Sequence, residues 1–198
     1  MRKFAVINLF LFLMAGIVIL FWYNDWKFNL PTPVPKNYSA VDFGNNISIA
    51  KKIHHSERPL FLHFFNPKCP CSKFNIPYFK ELVNKYSTEV DFQIVLMSDK
   101  HYTAEEIQRK FDLNIPVLFD SAIANECGVY STPQAVIIDS KNNLFYRGNY
   151  NKSRYCTDNK TNYAEQALNN LLYNNRMAIY DRLALKAYGC SLPGCTKN

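Results

Sequence analysis

The sequence predicts an α/β domain held behind a single membrane-spanning helix. Three observations predict it: a long apolar run at the N-terminus, two cysteines where a buried strand turns into an amphipathic helix, and apolar runs alternating with helical patterns before a final hairpin.

Met1-Arg2-Lys3 opens a run over residues 4–23 that is apolar apart from Asn8. Twenty residues of helix reach about 30 Å, the thickness of a bilayer's hydrocarbon core. The run ends Ile19-Leu20-Phe21-Trp22-Tyr23, with aromatics at the expected interface and no small-x-small cleavage pattern. Residues 1–23 therefore read as an uncleaved signal anchor, with cleavage as the other reading. Arg2 and Lys3 favour a cytoplasmic N-terminus, which puts the rest of the chain on the periplasmic or outer side of the inner membrane.

Residues 24–45, with Pro31, Pro33 and Pro35, read as a stiff extended spacer, and residues 46–198 as the folded domain. Of the net charge of +7, Arg2 and Lys3 supply two; the remaining positives are scattered and form no basic run. That pattern suits a solvated surface and argues against nucleic acid as a partner. Six cysteines in an oxidising compartment allow up to three bridges, yet the chain is long enough to bury a core without staples.

Within the domain, residues 47–55 suggest a short helix, and Pro59-Leu60-Phe61-Leu62-His63-Phe64-Phe65 a buried strand. Phe74, Ile76, Tyr78, Phe79, Leu82 and Val83 then recur at threes and fours, as on a helix. Residues 90–97 form a second strand. Thr103 caps a helix to about Phe111, with Glu106 completing a capping box. Residues 115–120 are extended, 121–127 helical and 133–139 a strand, and a turn at 140–143 leads into a return strand over 144–147. A later helix carries Ala164, Ala167, Leu168, Leu171 and Leu172 on one stripe.

The chemistry sits at Asn66-Pro67-Lys68-Cys69-Pro70-Cys71-Ser72-Lys73. A thiol in the first turn of a helix meets exposed backbone N–H groups and the positive end of the dipole, which favour its thiolate, and Lys68 pushes the same way. Cys69 is the candidate nucleophile and Cys71 its resolving thiol. A bond between residues two apart closes a small ring and would be a labile donor. The other reading leaves Cys71 out and has Cys156 or the tail cysteines Cys190 and Cys195 resolve Cys69. Cys127 reads as a small buried hydrophobe.

These residues resemble the active site of the thioredoxin superfamily, in which an apolar strand leads through F-W-x-x-x-C-x-x-C-K into a helix with a proline five residues past the second cysteine. Phe64-Phe65, Cys69, Lys73 and Pro77 match that pattern, while Ser72 stands where the second cysteine falls. Gly128-Val129-Tyr130-Ser131-Thr132-Pro133-Gln134 resembles the family's segment with a cis-proline facing the thiols. Residues 59–150 also look like redoxins tethered to bacterial membranes. The resemblance implies a thioredoxin-like three-layer fold with a central mixed sheet, preceded by one transmembrane helix. It further implies a thiol:disulfide oxidoreductase with no cofactor beyond its cysteine pair, serving a protein thiol or disulfide client and an upstream redox partner. His63 falls where the family carries a buried carboxylate that handles the resolving thiol's proton. Imidazole suits that task near neutral pH, although a packed strand histidine is the equal alternative. Thr132, Pro133 and Pro70 are the candidate client-binding residues, Thr132 offering backbone groups to an extended chain. Two other classes compete: a Cu(I) carrier ligated by Cys69 and Cys71, two soft thiolates one residue apart, and a redox-inert assembly module. A thiol peroxidase is disfavoured because Asn66 lies three residues before Cys69, where Thr or Ser is needed.

Overall fold

A computed structural model describes residues 2–26, 29–53, 56–174 and 180–193, and divides the chain into two units, Met1–Leu30 and Pro31–Asn198. The first unit contains α1 (Arg2–Phe21), followed by a π turn, Trp22–Trp26, in which Trp22 and Trp26 stack. Its stretch Lys3–Asn24, 22 residues, is long and apolar enough to cross a membrane.

The second unit runs through α2 (Ala50–Ile53), β1 (Leu60–Phe65), α3 (Pro70–Tyr86), β2 (Asp91–Leu96) and α4 (Ala104–Phe111). It continues with β3 (Val117–Leu118), α5 (Ala122–Glu126), β4 (Ser131–Thr132), β5 (Gln134–Ile138) and β6 (Leu144–Gly148). After these come α6 (Tyr163–Asn169), α7 (Arg182–Leu185) and β7 (Cys190–Ser191). Five strands form one sheet in the order β3-β2-β1-β5-β6. β1 pairs parallel with β2 and antiparallel with β5, so the sheet is mixed. Helix layers cover both faces, giving the three-layer thioredoxin-like fold the sequence implies.

β1 shows why its sequence is a near-continuous apolar run: every one of its residues is buried, as expected of a central strand covered on both sides. Leu60, Leu62 and Phe64 enter one apolar layer with Ile47, Ile123 and Val136. Phe61 and Phe65 enter the other with Phe79, Leu82 and Phe111. In α3 the apolar positions 78, 79, 82, 83 and 86 bury one stripe against this second layer.

The capping box forms as its spacing predicts. The Glu106 backbone N–H donates to Thr103 Oγ1 at 3.2 Å, and the Thr103 N–H donates to Glu106 Oε2 at 2.9 Å. Other elements are shorter than expected. The helix over 47–55 is the single turn α2, with residues 54 and 55 outside those described. The extended piece at 115–120 is strand over Val117–Leu118, with the Pro116 carbonyl accepting from the Ile94 N–H at 3.0 Å. Past Asn169 the helical stripe continues as a π turn, Asn170–Asn174.

The stretch read as a spacer lies on the domain from Pro31 onward. The Thr32 N–H donates to the Ala187 carbonyl at 2.9 Å, and Tyr38 OH donates to the Gly128 carbonyl at 3.0 Å. Proline-rich sequence signals extension, and an extended segment with free carbonyls and N–H groups can pair as readily as it can span.

Candidate functional site

Cys69 is the N-cap residue of α3, with extended backbone and no side chain capping the first turn. Pro70 follows at the first helical position, where its fixed φ fits and its missing N–H costs nothing. The first amides of a helix have no acceptor within the helix, so the positive end of α3 is presented at Cys69. The turn ahead of it is set by Asn66, whose Oδ1 accepts from the Lys68 N–H at 2.9 Å. Lys68 itself reaches outward to Asp99 at 2.7 Å, and that bond holds the exposed Asp99 carboxyl below the usual carboxylate range. Much of the ammonium's field is thus spent on a surface partner and not on Cys69.

Opposite the thiol, the Thr132–Pro133 peptide bond is cis. The preceding loop is fixed from several sides. Gly128 takes φ +66°, and a Cβ there would meet the Arg147 guanidinium. Arg147 Nη1 donates to the carbonyls of Val41 at 2.7 Å and Cys127 at 3.2 Å. The Tyr38 and Tyr130 rings meet edge to face, 4.9 Å apart. This loop brings the Thr132 carbonyl oxygen to 3.5 Å from Cys69 Sγ.

The structure joins Cys69 to Cys190, with Cα atoms 6.0 Å apart, and not to Cys71. This corrects the expected short ring, for which torsion is the physical obstacle: cysteines only two residues apart close a ring too small to reach the preferred C–S–S–C torsion readily. Cys190 lies on β7, which pairs antiparallel with β4, Thr132 facing Cys190 and Ser131 facing Ser191. Ser131 Oγ donates to the Cys190 carbonyl at 3.3 Å and lies 2.8 Å from Thr32 Oγ1. The sequence reading named the tail cysteines as an alternative but had no means of choosing between them; Cys195 falls outside the described residues. Cys71 is buried on the inner side of the same first turn.

His63 is fully buried on β1, its ring stacked 4.4 Å from Phe79 and edge-on to Phe111. Burial lowers its pKa to about 3, so the ring is neutral at physiological pH. Nδ1 lies 2.6 Å from the Tyr150 hydroxyl, while Nε2 has no partner among the described residues. A base this weak takes up little proton near neutrality, which favours the packed-histidine alternative over a proton carrier. On α3, Asn75 Nδ2 donates to Cys156 Sγ at 3.0 Å. Burial pushes the thiols of Cys156 and Cys127 up to about 12, leaving both protonated. Among the described residues no group of three or more His, Cys, Asp and Glu side chains is gathered as for a metal ion.

A mixed sheet in this order, a cysteine at the N-cap of the helix after β1 and a cis-proline leading into β5 define a thioredoxin-like protein. The chain belongs to the family described as a domain of unknown function, DUF6436, whose model matches residues 40–192. Its fold is similar to an uncharacterized conserved protein from Geobacillus kaustophilus, 20% identical, with a TM-score of 0.59 over 82% of this chain and 97% of that one. It is also similar to a hypothetical protein from Sinorhizobium meliloti, 15% identical, with a TM-score of 0.57 over 81% and 94%. A thioredoxin-like protein solved in its oxidized form aligns at a TM-score of 0.48, 18% identical over 70% and 93%. No curated protein matches the sequence.

Proposed function

We propose that this protein is a membrane-anchored thiol:disulfide oxidoreductase that acts on protein thiols through Cys69, with its domain in the periplasm. The observation that carries the reading is the bond from Cys69, at an uncapped helix N-terminus, to Cys190 on the strand paired with β4, beside a cis-proline. In reduced protein the Cys69 thiolate attacks a client disulfide, forms the Cys69–client bond and releases one client sulfur as a thiolate with the electron pair. The Cys190 thiolate then attacks Cys69 Sγ and expels the second client thiolate, and each released thiolate takes a proton from solvent. Two electrons pass to the client, and Cys69 and Cys190 end oxidised. Run backwards, the same steps oxidise a client dithiol, and an upstream redox partner resets the pair. The end of α3 favours the thiolate as nucleophile and as leaving group alike. Thr132 and Pro133 border the reacting sulfur, and Pro70 shapes the helix start beside it.

Trapping in the native host tests this assignment. Removing the thiol that releases the client leaves the mixed disulfide standing. Cys190→Ser is expected to accumulate Cys69–client adducts on non-reducing gels, and Cys69→Ser to accumulate none. Adducts with Cys71→Ser but not Cys190→Ser would return the resolving role to Cys71. Adducts with neither, together with tight Cu(I) binding lost in either Cys69→Ser or Cys71→Ser, would replace the enzyme with the carrier.

A further inference from the structure

β4 is a two-residue edge, and what covers it is the chain's own tail. β7 adds to it antiparallel and delivers a cysteine to Cys69. Ser131 and Thr132 are fully buried beneath it. On the outer side of the tail, Pro31 bridges to Tyr188 and the Thr32 N–H donates to the Ala187 carbonyl, so the segment lies between two extended neighbours. Gly189 takes φ +132°, and a Cβ there would run into the Thr132 carbonyl. Two residues past Cys190, Leu192 is buried in the apolar layer that holds Phe64 and Val129. The seat therefore reads four positions in order: a residue without a side chain, a cysteine, a half-buried small residue and a buried apolar one.

We propose that the tail is a built-in stand-in for the client, and that clients are extended protein segments of the form Gly-Cys-x-apolar that displace β7 and add to β4 in its place. This rests on the thiol-exchange reading of Cys69. The ladder between β4 and β7 has two rungs. With the disulfide open, this short ladder, the Ser131 bond to the Cys190 carbonyl, the contacts with Pro31 and Thr32 and the Leu192 contact hold the tail without a covalent link. Its advantage over a client is its tether, which sets a high local concentration. Once β7 has left the groove, the Cys69 thiolate attacks the disulfide sulfur of a client seated in the same register, forms the Cys69–client bond and releases the other client sulfur as a thiolate that takes a proton. Cys190 then attacks Cys69 Sγ and expels the client thiolate, which closes the Cys69–Cys190 bond and reseats the tail. Glycine ahead of the cysteine is required because the approach to the Thr132 carbonyl leaves no room for Cβ, and the apolar residue fills the site Leu192 vacates.

The test uses the full chain in detergent micelles, as Cys190→Ser and as Cys190→Ser combined with Gly189→Ala. The probes are end-blocked peptides with the cores Gly-Cys-Ser-Leu, Ala-Cys-Ser-Leu and Gly-Cys-Ser-Asp, each cysteine joined to thionitrobenzoate. Attack by Cys69 on the peptide sulfur releases the coloured thiolate, and mass mapping confirms the bond; Cys69→Ser with Cys190→Ser is the blank. The first peptide is expected to react roughly tenfold faster than the other two. Adding Gly189→Ala, which unseats the tail, is expected to speed it several-fold with the ranking kept. Equal rates for the three peptides overturn the proposal and leave thiol exchange standing. So does a Gly189→Ala change with no effect, because the tail then does not occupy the groove. No release above the blank with any peptide removes the thiol-exchange reading itself.

Discussion

His63 shows how burial decides what a residue contributes. In an unfolded chain its imidazole takes a proton near pH 6.5, whereas the folded site holds its pKa at about 3. Between those values the unfolded state binds the proton and the native state does not, so stability is full above about pH 6.5 and is lost as pH falls toward 3. One group so shifted costs about 2 kcal/mol between pH 7 and pH 5. Urea titrations at the two pH values are expected to show that loss in the wild type. His63→Phe, which keeps an aromatic ring against Phe79, is expected to flatten it. Equal losses in both proteins would place the acid sensitivity elsewhere. The same burial silences two thiols. Cys127 and Cys156, pushed up to about 12, are expected to stay unlabelled by iodoacetamide in native protein at neutral pH. Rapid modification of either, followed by peptide mass mapping, would contradict the packing described.

At the scale of the elements, legibility followed the range of the forces involved. Thr103 and Glu106 announce α4 because a capping box is a local exchange of two hydrogen bonds. Thr103→Ala is expected to lower stability by about 1 kcal/mol, read as a shift in the urea midpoint. β1 was readable from its apolar run, and Cys69 from its place between strand and helix. β7 was not. A strand of two residues carries no alternation, and Cys190 meets Cys69 across 121 residues of sequence. Spacing alone leaves six cysteines with many connectivities, and what selects among them here is the register of β4 against β7. The glycine that makes that register fit, Gly189, is equally invisible until the Thr132 carbonyl is placed beside it. Pro31 and Thr32 misled for a related reason: extended sequence looks the same whether it spans solvent or pairs with the tail.

For the whole molecule, the proposed membrane anchor raises one question, on which side of the membrane the cysteines would lie. α1 carries its only two charges, Arg2 and Lys3, at its start, and Trp22, Tyr23 and Trp26 gather at its other end. Positive residues are retained on the cytoplasmic side, and aromatic rings settle at the interface. The periplasmic placement proposed above puts Pro31 and everything after it outside, where a Cys69–Cys190 bond would persist because no glutathione pool reduces it. The anchor is expected to remain, since the stretch directly after Leu20, Phe21-Trp22-Tyr23-Asn24-Asp25-Trp26, offers none of the small residues a signal peptidase needs. Protease added to intact spheroplasts is expected to digest the domain, and sealed inverted vesicles are expected to protect it. N-terminal sequencing of membrane-bound protein should begin at or next to Met1. Mature protein starting after residue 22, or a domain cleaved in inverted vesicles and spared in spheroplasts, would overturn the topology. The second result would also place the cysteine pair in a reducing compartment, where a resting disulfide at Cys69 would not last.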